Sequence, residues 1–274
     1  MIKFTANQNK VFWDEYARNS KQNPFGAHTD KHVVNLENDF IISQLKIKNF
    51  KSLLDIGCGN GQRTILFSKY VKGNVLGIDY SQEMIDYAKF ILSKQTKTIK
   101  SKISFESRDI QNFSDDKKYD IIISCRCFVN QVSHSEQVKL FKKVYEKLNP
   151  KGSLIIAEIS EEGNKRLINM RKKHGLKPTK PRNPKTPNLY LSETKVFPKI
   201  SNLFKIIKIR RGGVFYYISR IIHPVLVFPE EPRSDAKIND AALQSEFILQ
   251  KEIPQEQNNF ENYGEHLLVH FIKK

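Results

Sequence analysis

The sequence predicts an α/β protein built on a doubly wound, mostly parallel sheet. Three observations predict it. Short apolar runs that read as strands alternate with amphipathic stretches that read as helices from residue 52 to residue 159. Three successive strand-like pieces end in an acid, at Asp55, Asp79 and Asp109. The first acid is followed by glycines at every second position, Gly57, Gly59 and Gly61, a turn that lets something approach the backbone closely.

Taken in order, residues 1–50 precede the first strand and read as one or two helices forming a lid. Phe12, Trp13 and Tyr16 fall at helical spacing and are expected in the core. A turn-rich segment, Asn23 to His32, carries His28, Asp30 and His32; such close alternation without a further ligand cluster does not make a metal site, so no metal is expected.

Ser52 to Gln62 is the buried strand and glycine turn, with a helix starting near Gln62. A dinucleotide site wants Gly-x-Gly-x-x-Gly, and Gln62 stands where its third glycine is needed. Asp55 sets a negative charge where a diphosphate would lie, which suits a cationic ligand instead. The second strand, within Gly73 to Asp79, leads to Ser81 as N-cap of a helix over Gln82 to Ser93, with Met84, Ile85, Ala88, Ile91 and Leu92 on one face. An acid in the position of Asp79 accepts hydrogen bonds from both hydroxyls of a ribose. The third strand runs from Ile103 towards Asp109. Tyr119 to Ser124 follows an acidic turn and leads into Cys125-Arg126-Cys127. The capping box Ser133-x-x-Glu136 opens a helix with Val138, Phe141, Val144 and Leu148 inward. Asn149 to Gly152 ends it, and Ser153 to Ile159 is a fifth strand.

Beyond that, residues 160–200 read as a polar, basic loop punctuated by Pro178, Pro181, Pro184 and Pro187, lying over the open end of the sheet. A sixth strand is expected near Phe204 to Ile209, broken by Gly212-Gly213. Val214 to Ile222 reads as an apolar helix with Tyr216, Tyr217, Arg220 and His223 towards its end; residues 228–257 read as an excursion before a last strand over Glu265 to Ile272.

Asp55 to Thr64, Gly77 to Ser81 and Asp109 together resemble the successive motifs of the class I S-adenosylmethionine (SAM) methyltransferases, over roughly Leu53 to Ile159. The first two segments look like a branch that modifies sugars and surface glycans. The resemblance implies a Rossmann-like fold of seven strands, with the last strand antiparallel and inserted between the fifth and sixth. It implies residues 1–50 as lid, 51–160 as SAM-binding core, and 161–274 as a basic insertion, acceptor-side helix and closing strands of the same domain. It implies a SAM site lined by Asp55, Gly57, Cys58, Gly59, Asp79, Tyr80, Met84, Asp109, Ile110 and Ser124, with Asp109 meeting the adenine amino group.

Methyl transfer is an in-line displacement, so positioning supplies most of the acceleration. Arg126 follows the fourth strand, where an acceptor or the methionyl carboxylate should lie, or else pairs with a nearby acid. His223, Arg220 and Tyr217 are the other acceptor-side candidates; Glu158 either meets the cofactor or supports the sheet, His134 is expected to be solvated or structural, and His28 or His32 would face the acceptor from the lid. The Asp/Asn-Pro-Pro-aromatic signature of adenine and glutamine N-methyltransferases is absent after the fourth strand, as is the Pro-Cys nucleophile of cytosine C5 enzymes, so oxygen is the expected acceptor atom.

The formal charge is +17, and residues 161–210 hold 14 Lys plus Arg against 3 Glu, so this segment contributes +11. It reads either as solvated surface or as an electropositive mouth for an anionic small molecule, sugar or glycan. An RNA methyltransferase using the segment for phosphates is the alternative, although it has little aromatic interleaving; a non-catalytic partner-binding subunit is another. Aminopropyl transfer wants an acidic pocket, which so basic a chain does not suggest. Three cysteines without metal-ligand spacing, no signal-like first ten residues, and no apolar run long enough for a membrane helix lead to a cytoplasmic expectation.

Overall fold

A computed structural model describes residues 5–20, 30–114, 116–178, 189–229, 236–252 and 262–274. The chain opens with α1 (Ala6–Ser20) and α2 (Lys31–Leu45). Asp30 caps α2 by accepting from the backbone N–H groups of His32 and Val33. The alternation expected from the sequence follows: β1 (Ser52–Ile56), α3 (Gln62–Ser68), β2 (Asn74–Asp79), α4 (Gln82–Ser93), the short α5 (Lys97–Lys100), β3 (Ile103–Ser107), β4 (Tyr119–Cys125), α6 (His134–Lys147) and β5 (Leu148–Ile159). The remainder supplies α7 (Glu161–Lys173), α8 (Glu193–Val196), β6 (Phe204–Arg211), α9 (Val214–Tyr217), α10 (His223–Leu226), α11 (Ala236–Glu252) and β7 (His266–Lys273).

The strands form one seven-stranded sheet in the order β3-β2-β1-β4-β5-β7-β6. Pairs among β1 to β5 are parallel, and β7 runs antiparallel between β5 and β6. Helices cover both faces, so the central strands are apolar on both sides. In β4, Ile122 packs into one layer with Phe128, Phe141 and Phe271, while Ile121 and Ile123 pack into the other with Phe40, Phe67 and Phe105. Each of these large side chains contributes about 1.5–3 kcal/mol by leaving water. Strand order reverses between β1 and β4, and the carboxyl tips at that switch point are where such sheets bind ligands.

Four expectations need correction. Residues 160–200 are not simply a loop, because α7 occupies the first third. Ser160 caps it by accepting from Gly163 N at 3.0 Å, Glu161 and Glu162 lie in its first turn, and Arg171, Lys172 and Lys173 lie in its last, all matching the helix dipole. Pro181, Pro184 and Pro187 lie outside the described residues. The helix expected over Val214 to Ile222 is α9 followed by a π-helical turn, Ile218–Ile222, that runs on into α10; Pro224 does not stop it because it falls in the first turn of α10. The excursion over 228–257 contains α11, whose inward residues Ala242 and Leu243 pack on Phe215 and Tyr216. Finally, Phe12, Trp13 and Tyr16 are only half-buried; their rings pack on one another, with centroids 5.1–6.3 Å apart, on a helix that lies against α4.

Candidate active site

The glycine turn is fastened to its neighbour strand, since Gly57 N and Cys58 N both donate to Ile78 O, at 2.8 and 3.0 Å. Two of its glycines serve different ends. At Gly61 (φ +75°) a β-carbon would lie 2.6 Å from the Phe105 ring and 2.7 Å from Ala88, so this glycine permits close packing. At Gly59 (φ +52°) a β-carbon would meet nothing within 4 Å, so the backbone there is open to a ligand. Behind the turn, Asp55 is buried and accepts from Thr64 Oγ1 at 2.5 Å; burial pushes its carboxyl up to about 6.

Asp79, at the tip of β2, is half-buried and held on both oxygens. Oδ2 accepts from Gly59 N at 2.9 Å and Oδ1 from Ser81 N at 3.0 Å, and burial raises its pKa. Cys58 and Met84 are buried beside it, and Tyr80 is half-buried. Asp109 is exposed, its carboxylate accepting from Gln111 N at 2.9 Å, above the buried Ile110. Ser124 is buried in β4, and its hydroxyl has no partner among the described residues.

After β4 the backbone turns sharply through Arg126, which has φ +62°, a region non-glycine residues seldom occupy and which clusters at functional sites. The conformation is held by Arg126 N donating to Ala157 O at 2.9 Å and Asn130 Nδ2 donating to Arg126 O at 2.8 Å. Glu158, wholly buried in β5, accepts from Phe128 N at 3.0 Å and Val129 N at 3.2 Å; burial pushes its carboxyl up to about 8. Of its two expected roles, supporting the sheet end is the one these bonds serve.

Arg126 pairs with an acid that the sequence reading did not single out. Glu37 of α2 is wholly buried, and its Oε1 receives Arg126 Nη2 at 2.9 Å and Nε at 3.1 Å. Its Oε2 receives Arg63 Nη1 at 2.7 Å. His266, the first residue of β7, brings Nε2 within 2.9 Å of Glu37 Oε1 and 2.7 Å of Arg126 Nη2, and burial lowers its pKa towards the neutral ring. The one sequence signal was a charged residue on the apolar face of α2, between Leu36 and Phe40.

The other acceptor-side candidates divide. Arg220 Nη2 reaches Asp30 Oδ2 at 2.5 Å, and its guanidinium lies over Phe215 and Tyr216. The Tyr216 ring is in turn 5.6 Å from that of His266, so Arg126, His266, Tyr216 and Arg220 form a contiguous wall. Tyr217 instead packs its ring, tilted, against that of Tyr263 at 4.8 Å, and His223 is buried with Nδ1 unpartnered among the described residues. His32 sits between Asp30 (3.3 Å) and Asp240 (2.7 Å), His28 lies outside the described residues, and His134 faces Gln137 and Glu161. Part of the basic segment is engaged: Lys165 and Lys195 pair with Glu161, Arg210 with Asp39, and Arg171 donates to the carbonyls of Lys177 and Arg220. Arg166 differs, with Nε and Nη2 buried and unpartnered among the described residues. From α1, Asn9 Nδ2 donates to Asn130 O beside the β4 turn.

A family model described as a methyltransferase domain matches residues 47–195, the stretch from just before β1 to α8. The chain belongs to this methyltransferase-domain family. It is 38% identical over 139 residues to the putative methyltransferase 235L of Invertebrate iridescent virus 6, covering 48% of each chain. It is 34% identical over 121 residues to the malonyl-[acyl-carrier protein] O-methyltransferase of Priestia megaterium, covering 43% of this chain and 41% of that one. The methyltransferase domain thus sits in a chain that spans about half the length of the curated relatives it matches. Among solved structures, magnesium protoporphyrin IX methyltransferase from Synechocystis PCC 6803 with bound S-adenosylhomocysteine (SAH) aligns with a TM-score of 0.61 at 12% identity, over 98% of this chain and all of that one. The [4+2]-cyclase SpnF aligns at 0.60 with 14% identity, over all of this chain and 98% of that one. At such identities the likeness is one of fold, and the cyclase warns against reading chemistry from fold alone. Glu37 and His266 both lie outside the matched stretch of the methyltransferase domain. Among the described residues no helix is long and apolar enough to cross a membrane, and no group of three His, Cys, Asp or Glu is placed to hold a metal.

Proposed function

We propose that the chain is a SAM-dependent methyltransferase acting on an oxygen of an anionic small molecule, a class that includes acidic sugars and glycans. The observation that carries this is the Asp79 carboxylate fixed 2.9 Å from Gly59 N, at the one glycine of the turn with open space before it. A diphosphate there would face Asp55 and Asp79 together, whereas a ribose finds acceptors and a sulfonium finds compensating charge. The residues present therefore fit SAM, which when bound supplies an electrophilic methyl group.

In this reading Asp79 takes the ribose hydroxyls, Asp109 the adenine amino group, and Cys58, Tyr80, Met84 and Ile110 wall the nucleoside. Asp55, Gly57 and Ser124 border the methionyl end. Residues 1–50 act as the lid, joined to the β4 turn through Asn9 and Asn130. Arg126, Arg220, Tyr217 and His223 border the acceptor. An anionic oxygen is already nucleophilic and needs holding rather than deprotonation.

The test is calorimetry with SAH, followed by transfer of labelled methyl from SAM to cell extract separated into nucleic acid, glycan, lipid and small metabolites. Label in acidic metabolites or glycans is expected. Label in RNA alone would overturn the acceptor class; absence of SAH heat in the wild type would overturn the cofactor, and so would SAM affinity unchanged in Asp79→Ala.

A further inference from the structure

Arg63 stands in the first turn of α3, its guanidinium 5.5 Å from the Phe67 ring and its acidic neighbours Glu37 and Asp55. Nη1 donates to Glu37 Oε2 at 2.7 Å. The remaining edge, Nε together with Nη2, is buried from solvent and has no hydrogen-bond partner among the described residues. Two parallel N–H groups on one guanidinium edge match the two oxygens of a carboxylate, and a desolvated cationic edge left unmatched is costly.

The same edge of Arg126 gives the contrast. Its Nε and Nη2 are both taken by Glu37, so the arginine the sequence points to has no fork to offer. One carboxylate, Glu37, is shared by the two guanidinium groups, and it reaches Arg63 through Nη1.

We infer that the Nε–Nη2 edge of Arg63 is a carboxylate-binding fork at the strand-tip site. The inference rests on the reading that a nucleoside binds at the glycine turn, and it admits two sources of the carboxylate. One is the methionyl end of the cofactor; the other is the acceptor itself.

Calorimetry separates the sources. Wild type, Arg63→Lys and Arg63→Gln are titrated with SAH, with 5′-methylthioadenosine, which keeps the nucleoside thioether but lacks the amino-acid end, and with acetate after saturation by SAH. Arg63→Lys keeps a cation beside Glu37 and guards the fold. The ratio of SAH to methylthioadenosine affinity, read within each variant, is insensitive to partial loss of folded protein.

A fall of about 10-fold or more in SAH affinity with methylthioadenosine unchanged assigns the fork to the cofactor. Unchanged SAH affinity with loss of acetate binding assigns it to the acceptor. Variants that bind all three ligands as wild type does would overturn the fork. If wild type binds neither nucleoside, the glycine-turn reading fails separately, and acetate titration of the protein alone, with and without Arg63, still decides the fork.

Discussion

Glu37 Oε1 receives the Arg126 guanidinium at 2.9 Å, joining a helix that precedes the sheet to the tip of its fourth strand. Because the carboxylate is wholly buried and Oε2 serves Arg63, removing it strands two cations in a low-dielectric interior. Glu37→Ala is expected to lower stability by about 3–5 kcal/mol, the range for breaking a buried ionic network. Glu37→Gln keeps hydrogen-bond acceptance and should lose less. Urea midpoints of the three proteins check both statements.

The two glycines should fail differently. Gly59→Ala meets no neighbour and pays only for its left-handed backbone, about 1–2 kcal/mol. It should fold yet lose SAH binding, because the new methyl fills the open approach. Gly61→Ala adds overpacking against Phe105 and Ala88, a further cost of about 1–3 kcal/mol, and should show its defect first in thermal melting.

Glu158 gives a pH signature. Its folded pKa, about 8, lies above the ordinary 4.5, so the folded state holds its proton more tightly. The stability linked to that proton is complete below pH 4.5 and is lost as pH rises towards 8, by up to about 1.4 kcal/mol per pH unit. Asp55, raised from 3.8 to about 6, acts in the same direction at lower pH. Glu158→Gln keeps a carbonyl acceptor and removes the titration, so stability between pH 6 and pH 8 should flatten relative to wild type, about as those values require.

Arg220 and Asp30, paired at 2.5 Å, should act as a unit. Each alanine variant alone should lower stability, and the double variant should lose less than the sum, with a coupling of about 0.5–3 kcal/mol. SAH affinity should stay at the wild-type value in Arg220→Ala while turnover falls. A matching drop in SAH affinity would place this pair on the cofactor side.

The parts legible in the sequence are those encoded over short spans. The alternation of strands and helices, the glycine turn, the Ser81 and Ser133 caps and the acids Asp55, Asp79 and Asp109 each declare themselves within about ten residues, and the structure places them at one end of the sheet. What was missed depends on distant pairing: Glu37 and Arg126 are 89 residues apart, and Arg126 and His266 are 140 apart. No periodicity within α2 or β7 names such a partner. The helix α7 was hidden for another reason, since its charged surface outweighs its single fully buried apolar side chain, Leu167, and the following prolines suggested a loop.

The Glu37 cluster also bears on how the chain can be divided. A fragment trimmed to residues 47–195 would keep Arg63 and Arg126 but discard Glu37 and His266, leaving cations whose counter-charge was cut away. For expression or crystallisation, the segments before β1 and after β6 are therefore not detachable ornaments; the heart of the molecule is assembled from both ends of the polypeptide.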